Sequence, residues 1–217
     1  MRQVFICGDS TAATYDPEKT PMVGWGSLLG DCLPGVRVVN LAMAGRSTRT
    51  FLEEGRLDPV GAQARPGDLV LIQFAHNDEN EKKPERYCDA RGAYMENLRF
   101  FIRYAREHGA VPVLLTPICM RIWEGGKLQP THGDYPAAMR DVAEEMNVPL
   151  IDLYSESFRI TEALGEEGSR ALFMDTAAGG PPDNAHTRRA GAERFAAFAA
   201  RETARLLEKL SCPGTPS

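Results

Sequence analysis

Nowhere in this chain does an apolar run approach the roughly 18 residues that a membrane-spanning helix requires, so a soluble protein that does not engage a membrane is expected. Cysteine is sparse and unpatterned. Cys7, Cys32, Cys88, Cys119 and Cys212 form no CxxC or other close ligand spacing, and their odd number is most simply read as free thiols in a reducing cytoplasm. The four histidines show no HExxH or similar zinc spacing, so no metal site is expected. Basic charge is not in excess: 25 Lys and Arg face 30 Asp and Glu, for a net charge of -5. No basic stripe interleaved with aromatics offsets that balance, which opposes nucleic acid as a partner. Internal repeats and low-complexity tracts are absent, and only Ser211 to Ser217 has the Pro, Gly and Ser content of a flexible, frayed tail. Met1-Arg2-Gln3 runs straight into an apolar strand pattern, with no room for the charged start, apolar segment and cleavage site of a signal peptide. The expectation is a cytoplasmic protein.

What is present is ordinary globular composition, 43% hydrophobic and 25% charged over 217 residues, enough for one well-buried core in a single domain spanning residues 1–210. Short runs rich in Val, Ile and Leu alternate with longer amphipathic segments, the pattern of a parallel sheet covered by helices on both faces. Strands are predicted over Gln3 to Cys7, Val36 to Leu41, Leu69 to Phe74, Val111 to Thr116 and Leu150 to Leu153. Met95, Leu98, Phe101, Ile102 and Ala105 share one face of a helix opposite Arg99, Arg103 and Arg106, and Gly109 is placed to cap it. Further helices are predicted from about Tyr135 to Met146 and from about Thr187 to Leu210, the last with a stripe of Phe195, Ala199, Leu206 and Leu210. The fold class is therefore α/β: a three-layer α/β/α sandwich on a five-stranded parallel sheet, flavodoxin-like. In such folds ligands bind beyond the carboxyl ends of the strands. Ser10, Gly45 and Asn77 follow the first three strands and are expected to gather at that edge. Two long connections, Glu79 to Gly92 and Pro117 to Asp134, are positioned to shape a substrate site there.

The chemistry centres on Gly8-Asp9-Ser10, where the apolar run Val4-Phe5-Ile6-Cys7 stops. A serine hydroxyl is a poor nucleophile without a histidine base and an acid to orient that base. Asp183 and His186 supply both from one short loop, three residues apart, just before the last helix. Singly, each has a plainer reading: Gly-Asp-Ser as a turn, Asp183 as a helix N-cap, and His186 as a first-turn residue. Ser47, in Gly45-Arg46-Ser47-Thr48-Arg49, lacks the final glycine of a nucleophile elbow and reads as a helix N-cap.

Together, Gly8-Asp9-Ser10, Gly45, Asn77-Asp78 and Asp183-x-x-His186 resemble, in order and spacing, the sequence blocks of SGNH (GDSL-type) hydrolases. The resemblance implies Ser10 as nucleophile, His186 as general base and Asp183 as orienting acid. It further implies an oxyanion hole from the backbone N–H groups of Ser10 and Gly45 and the side chain of Asn77. Such a hole needs fixed donors, and a glycine after a strand lets the backbone approach the substrate. The third block reads Phe74-Ala75-His76-Asn77-Asp78, with alanine where the family has glycine, which predicts a slightly shifted loop.

Gly8-Asp9-Ser10-Thr11-Ala12-Ala13, Gly24-Trp25-Gly26, His76-Asn77-Asp78 and Thr131-His132-Gly133-Asp134-Tyr135-Pro136 extend the resemblance to rhamnogalacturonan acetylesterases. That likeness implies removal of O-acetyl groups from pectic oligosaccharides, with no metal or organic cofactor. His76, Trp25, His132 and Trp123 are candidate substrate contacts, the tryptophans as sugar-stacking rings or as plain packing. Arg46, Arg49, Arg121 and Arg188 are candidate carboxylate clamps or solvated surface groups. The acidic balance favours short oligosaccharides over long polyanions. Two rivals remain: an esterase, lipase or thioesterase of other acyl specificity, and a noncatalytic glycan-binding module on the same fold. The sequence leaves the oligomeric state open.

Overall fold

The computed structural model describes residues 1–175 and 183–211, so Cys212 and the tail beyond Ser211 lie outside the described residues. Strands β1 (Gln3–Gly8), β2 (Arg37–Asn40), β3 (Leu69–Gln73) and β4 (Val111–Leu115) belong to the main sheet. β5 (Trp123–Glu124) and β6 (Lys127–Leu128) form a separate antiparallel hairpin, and β7 (Leu150–Ile151) completes the main sheet. That sheet is parallel throughout, in the order β2-β1-β3-β4-β7. The order reverses direction at β1, so the loops after β1, β2 and β3 open onto the crevice that such a reversal leaves.

Each strand feeds two cores because side chains alternate across the pleat. Val4, Ile6, Leu69, Leu71, Val113 and Leu115 face one core, while Phe5, Cys7, Val70, Ile72 and Leu114 face the other. The second core is covered by α1 (Thr48–Glu53), α2 (Asp58–Gln63), α3 (Ala93–Glu107) and α4 (Tyr135–Glu145). The first is covered by α5 (Leu153–Ser169) and α6 (Arg189–Ser211), with a 3₁₀ turn at Trp25–Leu28. Among the described residues no helix is long and apolar enough to cross a membrane.

The helix with one apolar face is α3, and Gly109 follows it at φ +77°, the left-handed conformation of a helix stop. Ser47 caps α1 through a capping box with Thr50. Three of the differences from the sequence reading lie at element ends and faces. Leu153 starts a helix instead of ending a strand, because the Asp152 side chain accepts from the Ser155 N–H and caps α5. The buried stripe of α6 runs Ala192, Phe195, Ala196, Ala199, Thr203 and Leu207, whereas Leu210 is 38% exposed. Ser211, read as the first residue of the tail, is the last residue of α6.

Candidate active site

Ser10 sits in the turn that leaves β1, at the carboxyl edge of the sheet, and is 7% exposed. Its carbonyl accepts from Ala13 N at 3.3 Å and from the Tyr15 hydroxyl at 2.8 Å. Burial and the nearby Asp9 carboxylate push that phenol up to about 12, so Tyr15 stays a donor at neutral pH. Asp9 points into the protein. Its Oδ1 accepts from both Thr11 N (2.9 Å) and Thr11 Oγ1 (2.7 Å), and its Oδ2 lies 3.3 Å from His76 Nδ1. Burial opposes ionisation of Asp9, but the His76 charge and the hydrogen bonds from His76 and Thr11 outweigh it and hold the carboxyl low. Burial likewise disfavours charge on His76, and Asp9 outweighs it and raises the ring. The contact between the two ties the Ser10 turn to the β3 loop.

Asp183 and His186 are in contact. His186 Nδ1 lies 2.8 Å from Asp183 Oδ2 and 3.1 Å from Oδ1, and Oδ1 also accepts from Ala185 N (3.2 Å) and His186 N (2.9 Å). These bonds lower the Asp183 carboxyl to about 2 against the opposing effect of burial. The loop is tied to the serine turn through the Gly24 segment. Val23 N donates to Thr187 O at 2.9 Å, Thr187 Oγ1 donates to Val23 O at 2.6 Å, and Trp25 N donates to Thr11 O at 3.0 Å. Among the described residues no hydrogen bond joins Ser10 to His186.

On the opposite side, Gly45 leaves β2 at φ +80°, a conformation that costs glycine little. Among the described residues the backbone N–H groups of Ser10 and Gly45 have no hydrogen-bond partner. Asn77 Nδ2 donates one hydrogen to Arg46 O at 3.0 Å, and its Oδ1 accepts from Arg86 Nη1 at 2.8 Å, leaving the second amide hydrogen for a ligand. Ala75 is absent from the positive-φ residues and its methyl lies in the core beside Phe74, so this position does not require glycine. Asp78 Oδ1 accepts from Thr48 N (2.9 Å) and from the Thr48 hydroxyl, tying the Asn77 loop to the start of α1. Burial pushes Asp78 up to about 7, and its Oδ2 has no partner among the described residues.

Several candidate contacts take other roles. Trp25 is wholly buried, with Nε1 donating to Gln73 Oε1 at 3.0 Å, so it packs under the site and cannot stack on a sugar. His132 is 3% exposed, its Nδ1 2.9 Å from Glu79 Oε2 and its Nε2 2.9 Å from Ile118 O. Both ring nitrogens are taken, which makes it a strut between the two long loops and no substrate contact. The His76 ring, held by Asp9, packs edge-on against His132 with centroids 4.4 Å apart. Trp123 lies half-buried in the β5–β6 hairpin, its Nε1 without a hydrogen-bond partner among the described residues.

The four arginines are engaged internally. Arg46 pairs with Glu54 and donates to Ala44 O, Arg49 donates to Pro84 O, Arg188 donates to Phe173 O, and Arg121 binds Asp175, Ser169 and Glu166 O. Among the described residues no three His, Cys, Asp or Glu side chains are grouped as a metal ligand set. Sequence reasoning missed Tyr15 and Arg86. Arg86 lies in the charged loop already marked as shaping the edge, which was the one available signal.

Residues 6–194 match the family model described as GDSL-like Lipase/Acylhydrolase family. The chain is 38% identical over 215 residues to a probable rhamnogalacturonan acetylesterase, YesY, of Bacillus subtilis, covering 99% of this chain and 96% of that one. It is 41% identical over 174 residues to the rhamnogalacturonan acetylesterase RhgT of the same organism, covering 79% and 73% respectively. An X-ray structure of the Bacillus subtilis protein YxiM superposes with a TM-score of 0.82 at 30% identity, over 94% of this chain and 56% of that one.

Proposed function

Since this chain belongs to the GDSL-like Lipase/Acylhydrolase family, we propose that it is a serine carbohydrate esterase that removes acetyl groups, with rhamnogalacturonan-type pectic oligosaccharides as its substrates. The observation that carries the proposal is the Asp183–His186 contact at 2.8 Å on a loop tied by Val23 and Trp25 to the Ser10 turn. In this reading Ser10 Oγ attacks the acetyl carbonyl while His186 Nε2 takes its proton. Asp183 fixes the tautomer that leaves Nε2 free to accept, and stabilises the imidazolium. Charge on the carbonyl oxygen is met by the open N–H donors of Ser10, Gly45 and Asn77. The tetrahedral intermediate collapses, the sugar hydroxyl leaves with the proton from His186, and water, activated by the same ring, releases acetate and restores Ser10.

The pectic assignment is supported by the similarity to YesY and RhgT over most of the chain. The test is acetate release from acetylated rhamnogalacturonan oligosaccharides beside acetylated xylan and short and long acyl esters, with wild type and Ser10→Ala. Preference for the pectic substrate together with an inactive Ser10→Ala is the expected result. Rates that climb steadily to acyl chains of about eight carbons would instead show binding gained from each added methylene and would overturn the acetylesterase reading.

A further inference from the structure

We propose that Arg86 is a positioning residue for the oxyanion hole, setting both the Asn77 amide and the Gly45 backbone through one guanidinium nitrogen. The inference rests on the esterase reading above and adds a component no motif contains. Arg86 Nη1 donates to Gly45 O at 3.0 Å and to Asn77 Oδ1 at 2.8 Å. Both hydrogens of that nitrogen are thus spent on the two loops that supply oxyanion donors. On its other side Asn77 donates to Arg46 O. A flipped amide would set its NH₂ against the guanidinium and its oxygen against the Arg46 carbonyl, two repulsive pairings in place of two hydrogen bonds. Arg86 and the Arg46 carbonyl therefore fix the orientation in which the spare N–H of Asn77 faces the site.

The loop that carries Arg86 is built to hold it there. Cys88 N donates to Asp78 O at 2.9 Å, closing the turn that begins at Asn77, and the Tyr135 hydroxyl donates to both Asp78 O (3.2 Å) and Cys88 O (2.8 Å). The Arg86 side chain is 16% exposed, and its Nε makes no hydrogen bond among the described residues, its nearest acid being Glu85, with Oε1 4.0 Å away. The hydrogen bonds of the guanidinium are thus concentrated on Nη1, between Gly45 and Asn77. A lysine ammonium, on a stem one bond shorter, stops short of the point from which Nη1 reaches both Gly45 O and Asn77 Oδ1.

The test compares wild type, Arg86→Met, Arg86→Lys, Asn77→Ala and the Arg86→Met/Asn77→Ala double variant. The readout is kcat and KM for 4-nitrophenyl acetate, per active site titrated with a serine-directed phosphonate. Loss of one oxyanion donor costs on the order of a hundredfold in rate, so Arg86→Met is expected to lower kcat about tenfold or more with KM nearly unchanged. Arg86→Lys should fall with it, and Arg86→Met should cost less in the Asn77→Ala background than in wild type, the remainder acting through Gly45. A residue that only stabilised the fold would lower the titratable fraction and leave kcat per site at the wild-type value. That outcome, or full additivity with Asn77→Ala, overturns the proposal. The side-chain amide resonances of Asn77 give a readout independent of catalysis: they should move in Arg86→Met, and unchanged shifts refute the inference. A wild type without Ser10-dependent activity would count against the esterase reading alone, leaving the Asn77 resonances to decide the role of Arg86.

Discussion

Replacing Asp183 by Asn tests the acid–base half of the site, because the structure dictates which way the new amide must turn. Asp183 Oδ1 accepts two backbone N–H groups, from Ala185 and His186, while Oδ2 lies against His186 Nδ1 at 2.8 Å. An asparagine that keeps its oxygen on the two backbone donors presents its NH₂ to Nδ1. Reversing it would forfeit both backbone bonds, at about 0.5–1.5 kcal/mol each. The preferred arrangement therefore forces the tautomer with the proton on Nε2, which cannot accept the Ser10 proton. In a fully buried triad such a change costs about 10⁴ in kcat. Here both side chains are about one-third exposed, 29% for His186 and 32% for Asp183, so solvent screens part of the ion-pair contribution. The expected loss is about 10³ in kcat, or roughly 4 kcal/mol of transition-state stabilisation, with KM nearly unchanged and the backbone of the loop preserved. Steady-state kinetics beside far- and near-UV circular dichroism provide the assay. A folded Asp183→Asn retaining more than a tenth of wild-type kcat would refute the assignment of Asp183 as the orienting acid.

Two further perturbations and one titration follow from the same geometry. Asp78, pushed up to about 7 from a usual value of 3.8, keeps its proton in the folded protein while the unfolded chain ionises. Folding stability conferred by this site is then intact below about pH 4 and declines by a few kcal/mol as pH rises to about 7. Asp78→Asn should accordingly gain stability relative to wild type between pH 5 and pH 8 in urea unfolding, and a gap that shrinks over that range would contradict the buried neutral acid. Gly24→Ala places a methyl 2.3 Å from Ala13 O and 2.6 Å from Ala13 N, both backbone atoms. The clash should cost about 1–3 kcal/mol, as is typical of overpacking, a fall of about 2–12 °C in Tm for a chain of this size; an unchanged Tm would show that the Gly24 segment is free to move. For Asp183 the sign is opposite to that of Asp78. Its lowered carboxyl contributes stability above about pH 4 that is lost as pH falls through about 2, so the stability deficit of Asp183→Asn, about 1 kcal/mol after allowing for exposure, should vanish in acid; a deficit that persists at pH 2 would separate it from the carboxylate.

The centre of the sheet was legible because β1 and β3 are short and buried on both faces, so near-continuous apolar runs such as Val4 to Cys7 and Leu69 to Ile72 stand out from polar surroundings. α3 was equally plain from its one apolar face. α1, α2 and the β5–β6 hairpin were too short to carry a period, and α5 was hidden by polar residues that turn out buried, among them Ser157, Thr161 and Ser169. Asp183 and His186 could be paired from spacing alone because the interaction is local. His132 and Trp25 could not be read correctly, because what fixes them is distant in sequence: Glu79 and Ile118 hold the first, Gln73 the second. A polar or aromatic residue in a loop carries no mark that tells a strut from a contact until its partner is known.

The two halves of the site rest on different supports, and this decides how each responds to change. The oxyanion side is built on adjacent parallel strands, β2, β1 and β3, and its loops are cross-tied by buried polar groups: Asp9 with His76, Asp78 with Thr48, and Arg86 with Gly45 and Asn77. The acid–base side hangs on a loop outside the sheet, fixed by Val23 to Thr187, Met174 N to His186 O at 2.9 Å and Arg121 N to Asn184 O at 2.8 Å. Backbone bonds of this kind set where the loop lies, while the Ser10-to-His186 separation also depends on the Gly24-Trp25-Gly26 segment between them. Trp25 is central to that segment: its backbone N–H reaches Thr11 O, and its indole reaches Gln73, which also accepts from the Thr11 hydroxyl. The Gly-Trp-Gly motif thus ties the Ser10 turn to the loop that carries Asp183 and His186. Damage to it should lower the rate of acylation while leaving the Asn77 and Gly45 donors in place, the reverse of what loss of Arg86 does.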